Sequence, residues 1–188
     1  MTDIAPPISP LTLSSSAERM FPILTPAQVK RIAAHGVLRS IRPGEVLIEA
    51  GARVVPFFVI TAGRVEAVRP SGKGETLVTI HQPGQFTGEV NMLSGRPALV
   101  QSRAIESGEV IELNREQLLA LVQTDSELGE LIMRAFIVRR VELIAHGLGD
   151  VVLVGSNYCS GTLRVKEFLT RNGHPYSYID LDRDADVQ

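Results

Sequence analysis

Between Val37 and Asn114 the chain runs in short apolar or alternating stretches: VLRSI, EVLIEA, FFVIT, RVEAV, ETLVTI, LVQSRAI and EVIELN. Alternation with a period of two puts every second side chain on one face of a strand. Turn residues separate the stretches, and Gly44, Gly51, Gly63, Gly72, Gly74, Gly84 and Gly108 fall at the separations. Short strands at such regular spacing predict a mainly β fold, an antiparallel β-roll or jelly roll. Ser71-Gly72-Lys73-Gly74 predicts a hairpin tip.

Helical spacing flanks the strands. Before them, Thr25 can cap, Pro26 suits the first helical position, and Gln28 completes a capping box, with Leu24 and Val29 as its staple. This helix is expected to run to about His35 and to stop at Gly36 in a left-handed conformation. After the strands, Asn114 with Gln117 and Thr124 with Glu127 predict two further helix starts. In the second of these helices Leu128, Leu131, Ile132, Ala135, Val138, Val141 and Ile144 recur at spacings of three and four, which makes one face apolar. Gly147 is its expected stop.

A different texture follows. VVLVG, a helix from Thr162 to Asn172 stopped by Gly173, and SYIDLD read as strand, helix, strand, the opening of an α/β sheet. The expected organisation is an arm over residues 1–19, a β-roll with its helices over residues 20–147, and an α/β unit over residues 148–188. So small a unit holds little core, and it is expected to be the start of something longer.

Composition narrows the function classes. Of 188 residues 44% are hydrophobic, and mean hydropathy is only +0.12. The longest apolar run, Val54 to Ile60, is interrupted by Pro56 and falls far short of the roughly 20 residues of a membrane span. No membrane association is expected. The opening MTDIAPPISPLTLSSS lacks the continuous apolar segment of a secretory signal. A formal charge of −2, with both signs spread along the chain, offers no basic stripe for a phosphate backbone, so nucleic acid is not an expected partner. Cys159 is the only cysteine, which fits a reducing, cytoplasmic setting, and His35, His81, His146 and His174 lack metal-ligand spacing.

The stretch Pro83 to Ala104, PGQFTGEVNMLSGRPALVQSRA, carries the most chemistry. With the glycines Gly44, Gly51, Gly63 and Gly84 leading to Phe86, Gly88, Glu89, Gly95 and Pro97, the region from Met20 to His146 resembles the cyclic-nucleotide-binding domain of catabolite activators and kinase regulatory subunits. The ordered F-x-G-E and G-x-P pair is the specific part of that resemblance. It implies a cassette that holds a cyclic nucleotide, with Gly88 admitting the backbone, Glu89 accepting from the ribose, and Val90 and Leu99 beside them. The family places an arginine after the proline, where this chain has Ala98, and a Ser or Thr where it has Gln101. One charge-assisted hydrogen bond is worth roughly 1.5 to 3 kcal/mol, or about 10- to 150-fold in affinity. Arg96 and Arg103 are the candidate substitutes, and each can equally be a solvated surface charge. An arginine aimed at the turn after Gly88 would favour a sensor of small anions, whereas a plug of Met92 or Leu99 would favour a roll without a ligand.

Val151 to Asp182 resembles the opening of a glutaredoxin- or thioredoxin-like domain, most clearly in GHPYSYIDLD. Cys159-Ser160-Gly161-Thr162 occupies the loop where that family places C-x-x-C, so Cys159 is a weak candidate for a catalytic thiol and Thr162 replaces the resolving cysteine. A roll followed by such a unit resembles bacterial fusions of a cyclic-nucleotide-binding domain with a thioredoxin-reductase-like flavoprotein. That resemblance implies FAD and NADPH sites and a reductase partner in a C-terminal part of the same protein, and no cofactor or enzymatic site in these residues. Three readings stand side by side. They are a regulatory ligand sensor, a ligand-free module that dimerises through the helix of residues 126–145, and a monothiol redox protein using Cys159.

Overall fold

The structure is a computed structural model, and it describes residues 17–71, 74–88, 91–94, 97–145, 151–172, 174 and 176–182. They form two compact units that divide between Val138 and Arg139. Among the described residues no helix is long and apolar enough to cross a membrane.

The first unit opens with α1 (Ala17–Met20) and α2 (Pro26–Ala33). α2 starts as its sequence dictates: Thr25 Oγ1 accepts from Gln28 N, and Gln28 Oε1 accepts from Thr25 N, which closes the capping box. Its end differs from expectation. Ala34 caps the helix in the right-handed region, and Gly36 is not among the residues with positive φ. Gly36 is required by packing instead. A Cβ there would stand 2.6 Å from Leu113 Cδ1, 2.7 Å from Ile111 Cγ2 and 2.8 Å from the Glu112 carbonyl.

Seven antiparallel strands follow: β1 (Val37–Ile41), β2 (Val46–Ile48), β3 (Phe57–Ala62), β4 (Val65–Ser71), β5 (Gly74–His81), β6 (Gln101–Ala104) and β7 (Gly108–Leu113). They form a three-stranded sheet in the order β1-β7-β3 and a four-stranded sheet in the order β2-β6-β4-β5. This is the antiparallel roll that the alternating pattern predicts. β4 and β5 pair down to Ser71 opposite Gly74, so a hairpin stands where the turn residues place it, although residues 72 and 73 at its tip lie outside the described residues. Between β5 and β6 the described residues include a short helix, α3 (Asn91–Ser94).

Helices α4 (Arg115–Thr124) and α5 (Ser126–Ala145) close the roll. Asn114 and Gln117 form the expected capping box of α4. The start of α5 is displaced by one residue from the Thr124 reading. Asp125 Oδ1 accepts from Leu128 N, while the Thr124 hydroxyl donates backwards to the Ala120 carbonyl. Glu127 is then free to work between elements. It accepts from Gln28 Nε2 and from Arg31 Nη2, both at 2.7 Å, and Arg31 Nε also meets Asp125 at 2.9 Å. α2 is thereby fastened to the first turn of α5. Leu128, Ile132, Ala135 and Phe136 of α5 are fully buried. Phe57, Phe86 and Phe136 meet at ring-centroid distances of 5.4 to 6.3 Å in tilted and edge-to-face arrangements, and they form the centre of the core.

The second unit contains β8 (Val151–Gly155), α6 (Ser160–Arg171) and β9 (Tyr176–Asp180). β8 and β9 are parallel and in register from Val151 opposite Tyr176 to Gly155 opposite Asp180. A parallel pair needs a crossover, which α6 supplies.

The packing role of Gly36 is testable. Gly36→Ala is expected to destabilise the first unit by about 1 to 3 kcal/mol through overpacking against β7, read as a lower urea midpoint with an unchanged slope. An unchanged midpoint would return Gly36 to a purely local role.

Candidate functional site

The candidate site is the segment from Phe86 to Arg103, and its chemistry depends on where β3 and β6 hold its two ends. At the first end Phe86 bridges to Val59 of β3 and is fully buried. The next residue, Thr87, makes a two-way tie to Phe58: Thr87 N donates to the Phe58 carbonyl at 2.9 Å, and Phe58 N donates to Thr87 Oγ1 at 3.0 Å. Gly88 then turns the chain at φ +98°. A Cβ at Gly88 would lie 2.1 Å from Met92 Sδ and 3.2 Å from Phe136 Cζ. Glycine is therefore needed twice over, once for its left-handed conformation and once because Met92 and α5 crowd its backbone. α3 is tied from its other side, since Arg115 Nη2, at the start of α4, donates to the Leu93 carbonyl at 2.8 Å.

At the second end, Ala98 pairs with the turn that follows β2. Gly51 N donates to the Ala98 carbonyl and Ala98 N donates to the Ala52 carbonyl, both at 2.8 Å. The side chains of Ala52 and Ala98 are half-buried and pack against the main core. Where the resemblance implies a guanidinium, the chain has an alanine methyl packed against the core. Leu99 is half-buried, and Val100 packs on a smaller cluster of Met20, Phe21, Ala67 and Val78.

Of the residues singled out by sequence, Gly88, Ala98, Leu99 and Arg103 are described, while Glu89, Val90 and Arg96 lie outside the described residues. Arg103 stands directly opposite Glu66 in the β4–β6 register. Its Nε and Nη2 donate to Glu66 Oε1 at 2.8 and 2.5 Å, and Nη2 also reaches Glu75 at 3.2 Å. The Glu66 hydrogen bond, with the charges of Glu66 and Glu75, raises the Arg103 pKa above its ordinary value. This arginine is committed to two carboxylates. Met92, which sequence offered as a possible plug, is only 8% exposed and lies against Gly88. Phe136 and Arg115 were not singled out by sequence. Phe136 falls four residues after Ile132 on the apolar face, which was a legible signal, whereas nothing local marked Arg115.

Comparison with known proteins agrees with this geometry. Residues 38–125 match the family model described as the cyclic nucleotide-binding domain. Potassium channel AKT1 of Oryza sativa is 27% identical over 95 residues, 50% of this chain and 10% of the channel. Potassium channel AKT6 of Arabidopsis thaliana is 32% identical over 91 residues, 48% of this chain and 10% of the channel. The matched segment thus spans about a tenth of these relatives' length. A structure described under a cyclic-GMP-dependent signalling pathway that regulates bacterial phytopathogenesis superposes with a TM-score of 0.55 at 27% identity, covering 64% of this chain and 96% of that one. The Thermus thermophilus catabolite activator protein superposes at 0.53 and 20% identity over 82% of this chain and 88% of its own, a likeness of fold. The roll has the cyclic nucleotide-binding fold, an antiparallel β-roll with flanking helices.

The second unit places Cys159 at the N-cap of α6, exposed to solvent. No hydrogen bond of capping geometry closes on its sulfur. The N–H groups of Thr162 and Gly161 and the Thr162 hydroxyl still favour the thiolate, and Arg164 adds its charge, so the thiol pKa is lowered. Around it Ser156 donates to Asp182, Asn157 donates to Asp180, and Lys166 donates to Asn157 while lying over the Tyr178 ring. A lowered pKa means a larger thiolate fraction at neutral pH. Cys159 is therefore expected to react with iodoacetamide faster than free cysteine at pH 7, with the midpoint of its rate-against-pH profile displaced to lower pH. A profile superimposing on that of free cysteine would remove the effect.

Proposed function

We propose that the roll, which matches the cyclic nucleotide-binding domain over residues 38–125, is a regulatory domain whose cassette occupancy is read out by α5. The observation that supports this reading is the crowding at Gly88. The backbone turn of the cassette lies against Met92 and against Phe136 of α5, so a ligand that moves the turn displaces a fully buried aromatic ring of that helix. Arg115 ties α3 to α4, which adds a second connection from the cassette to the helices. Packed cores respond to such shifts by switching between discrete arrangements.

The ligand class in this reading is a small anion, and cyclic nucleotides are the first to test because of the F-x-G-E and G-x-P cassette. A ligand that binds only the native state adds about 2.7 kcal/mol at 100 times its Kd. Thermal unfolding with cyclic AMP, cyclic GMP and their linear counterparts is expected to shift upward for at least one cyclic form. A flat response to all of them at millimolar concentration would end this reading.

Met92 favours a second reading, in which the roll holds no ligand and serves as an interaction module. Its partner would be a second copy meeting the exposed side of α5, where Ile137 is 54% exposed. Light scattering across a hundredfold concentration range is then expected to show a dimer, and a constant monomer mass would argue against it. The parallel β8–β9 pair, its α6 crossover and the lowered pKa of Cys159 support reading the second unit as thioredoxin-like. On that reading the roll regulates a thioredoxin-reductase-like flavoprotein, which would supply FAD, NADPH and a redox dithiol.

A further inference from the structure

Anion recognition in the cassette needs a cation near Ala98, and of the two arginines weighed from sequence Arg96 lies outside the described residues. Arg103 is held by Glu66 and Glu75, and Arg115 by the Leu93 carbonyl. One stretch of chain touches both ends of the cassette. Ala52 accepts from Ala98 N at one end, and Phe58 exchanges two hydrogen bonds with Thr87, the neighbour of Gly88, at the other. The intervening residues, Arg53 to Phe57, therefore run from the position of the missing guanidinium to the turn that would receive the ligand. Arg53 is the only Lys or Arg between Gly44 and Gly63.

Its position suits the role. Arg53 follows directly after the residue bonded to Ala98, so its Cα is about 3.8 Å along the chain from that of Ala52. Its side chain is exposed and makes no hydrogen bond or ion pair with the described residues. The turn before it is open, since a Cβ on Gly51 would meet nothing within 4 Å. An arginine in this setting is still solvated, and it can swing to an anion with only the ordering of a flexible side chain to oppose it.

We propose that Arg53 is the cation that binds the anionic group of the ligand, taking over in space the place that Ala98 leaves empty of charge. This rests on the sensor reading above and goes further by naming the residue that recognises a singly charged phosphodiester or a similar small oxyanion. It also assigns the recognition to a loop outside the segment where sequence places it.

The test is calorimetric titration of cyclic AMP and cyclic GMP into the 188-residue chain and its Arg53→Gln, Ala98→Arg and doubly substituted forms, with adenosine and guanosine as uncharged controls. Arg53 is exposed, so its substitution is expected to leave the urea midpoint unchanged. If Arg53 is the cation, Arg53→Gln weakens the cyclic nucleotide about 10- to 150-fold, leaves nucleoside binding unaltered, and is rescued by Ala98→Arg. Equal affinity of the parent and Arg53→Gln would overturn the proposal while leaving the sensor reading in place. A parent that binds nothing beside an Ala98→Arg form that binds would also overturn it, because the cassette would then work only when given a cation that Arg53 does not provide. Silence from all four forms would remove the sensor reading and this proposal together.

Discussion

The missing Cβ of Gly88 is the constraint on which the architecture around the cassette depends. Met92 and Phe136 occupy the volume that any other residue would claim, and the backbone turns there at φ +98°. Phe136 in turn sets the centre of the core through its contacts with Phe57 and Phe86. Truncating a buried phenylalanine usually costs about 3 to 5 kcal/mol, a large part of the net stability of a domain this size. The cassette is therefore continuous with the core. Met92, which fills the cassette turn, and Phe136 of the helix that closes the roll both crowd the Gly88 backbone.

That continuity also explains why α5 is fastened at its start. Gln28 and Arg31 of α2 hold Glu127, and Arg31 also holds Asp125. Exposed ion pairs of this kind contribute little each, and their value here is positional. Gln28 spends its oxygen on the α2 cap and its amide hydrogens on Glu127, so a local helix start and a tertiary contact are set by one side chain.

Much of the fold was legible because its signals are local. The Thr25–Gln28 and Asn114–Gln117 boxes need only three residues of spacing, and the strand runs need only alternation. The misreadings share a cause. Gly36 looks like a helix stop, but its need comes from Leu113 and Ile111, more than seventy residues away. Thr124 and Asp125 are both good caps, and the choice between them is made by which oxygen meets Leu128 N once α4 has ended. Arg103 could not be assigned to pocket or surface from sequence, because its fate follows from β6 lying opposite β4 with Glu66 at the same register position. Alternation gives the period of a strand, whereas its phase against a distant partner comes from the assembled sheet. Ala98 shows the same limit in reverse. Its identity was plain, yet only the backbone bonds to Gly51 and Ala52 reveal which loop lies beside it.

Charge placement around the cassette follows from burial. At position 98 the side chain begins against the core, so a guanidinium there must lay its stem along apolar surface and carry its charge outward. Without a ligand such a charge bears a desolvation cost that needs a fixed partner. At position 53 the side chain is exposed, so a charge there begins in water and carries no desolvation cost in the unliganded roll. The first arrangement pre-organises the site, and the second avoids a standing penalty at the cost of ordering a mobile side chain on binding. A side chain at position 98 thus starts against the core, whereas one at position 53, on the adjoining turn, starts in solvent, and only the second position leaves a charge hydrated in the unliganded roll.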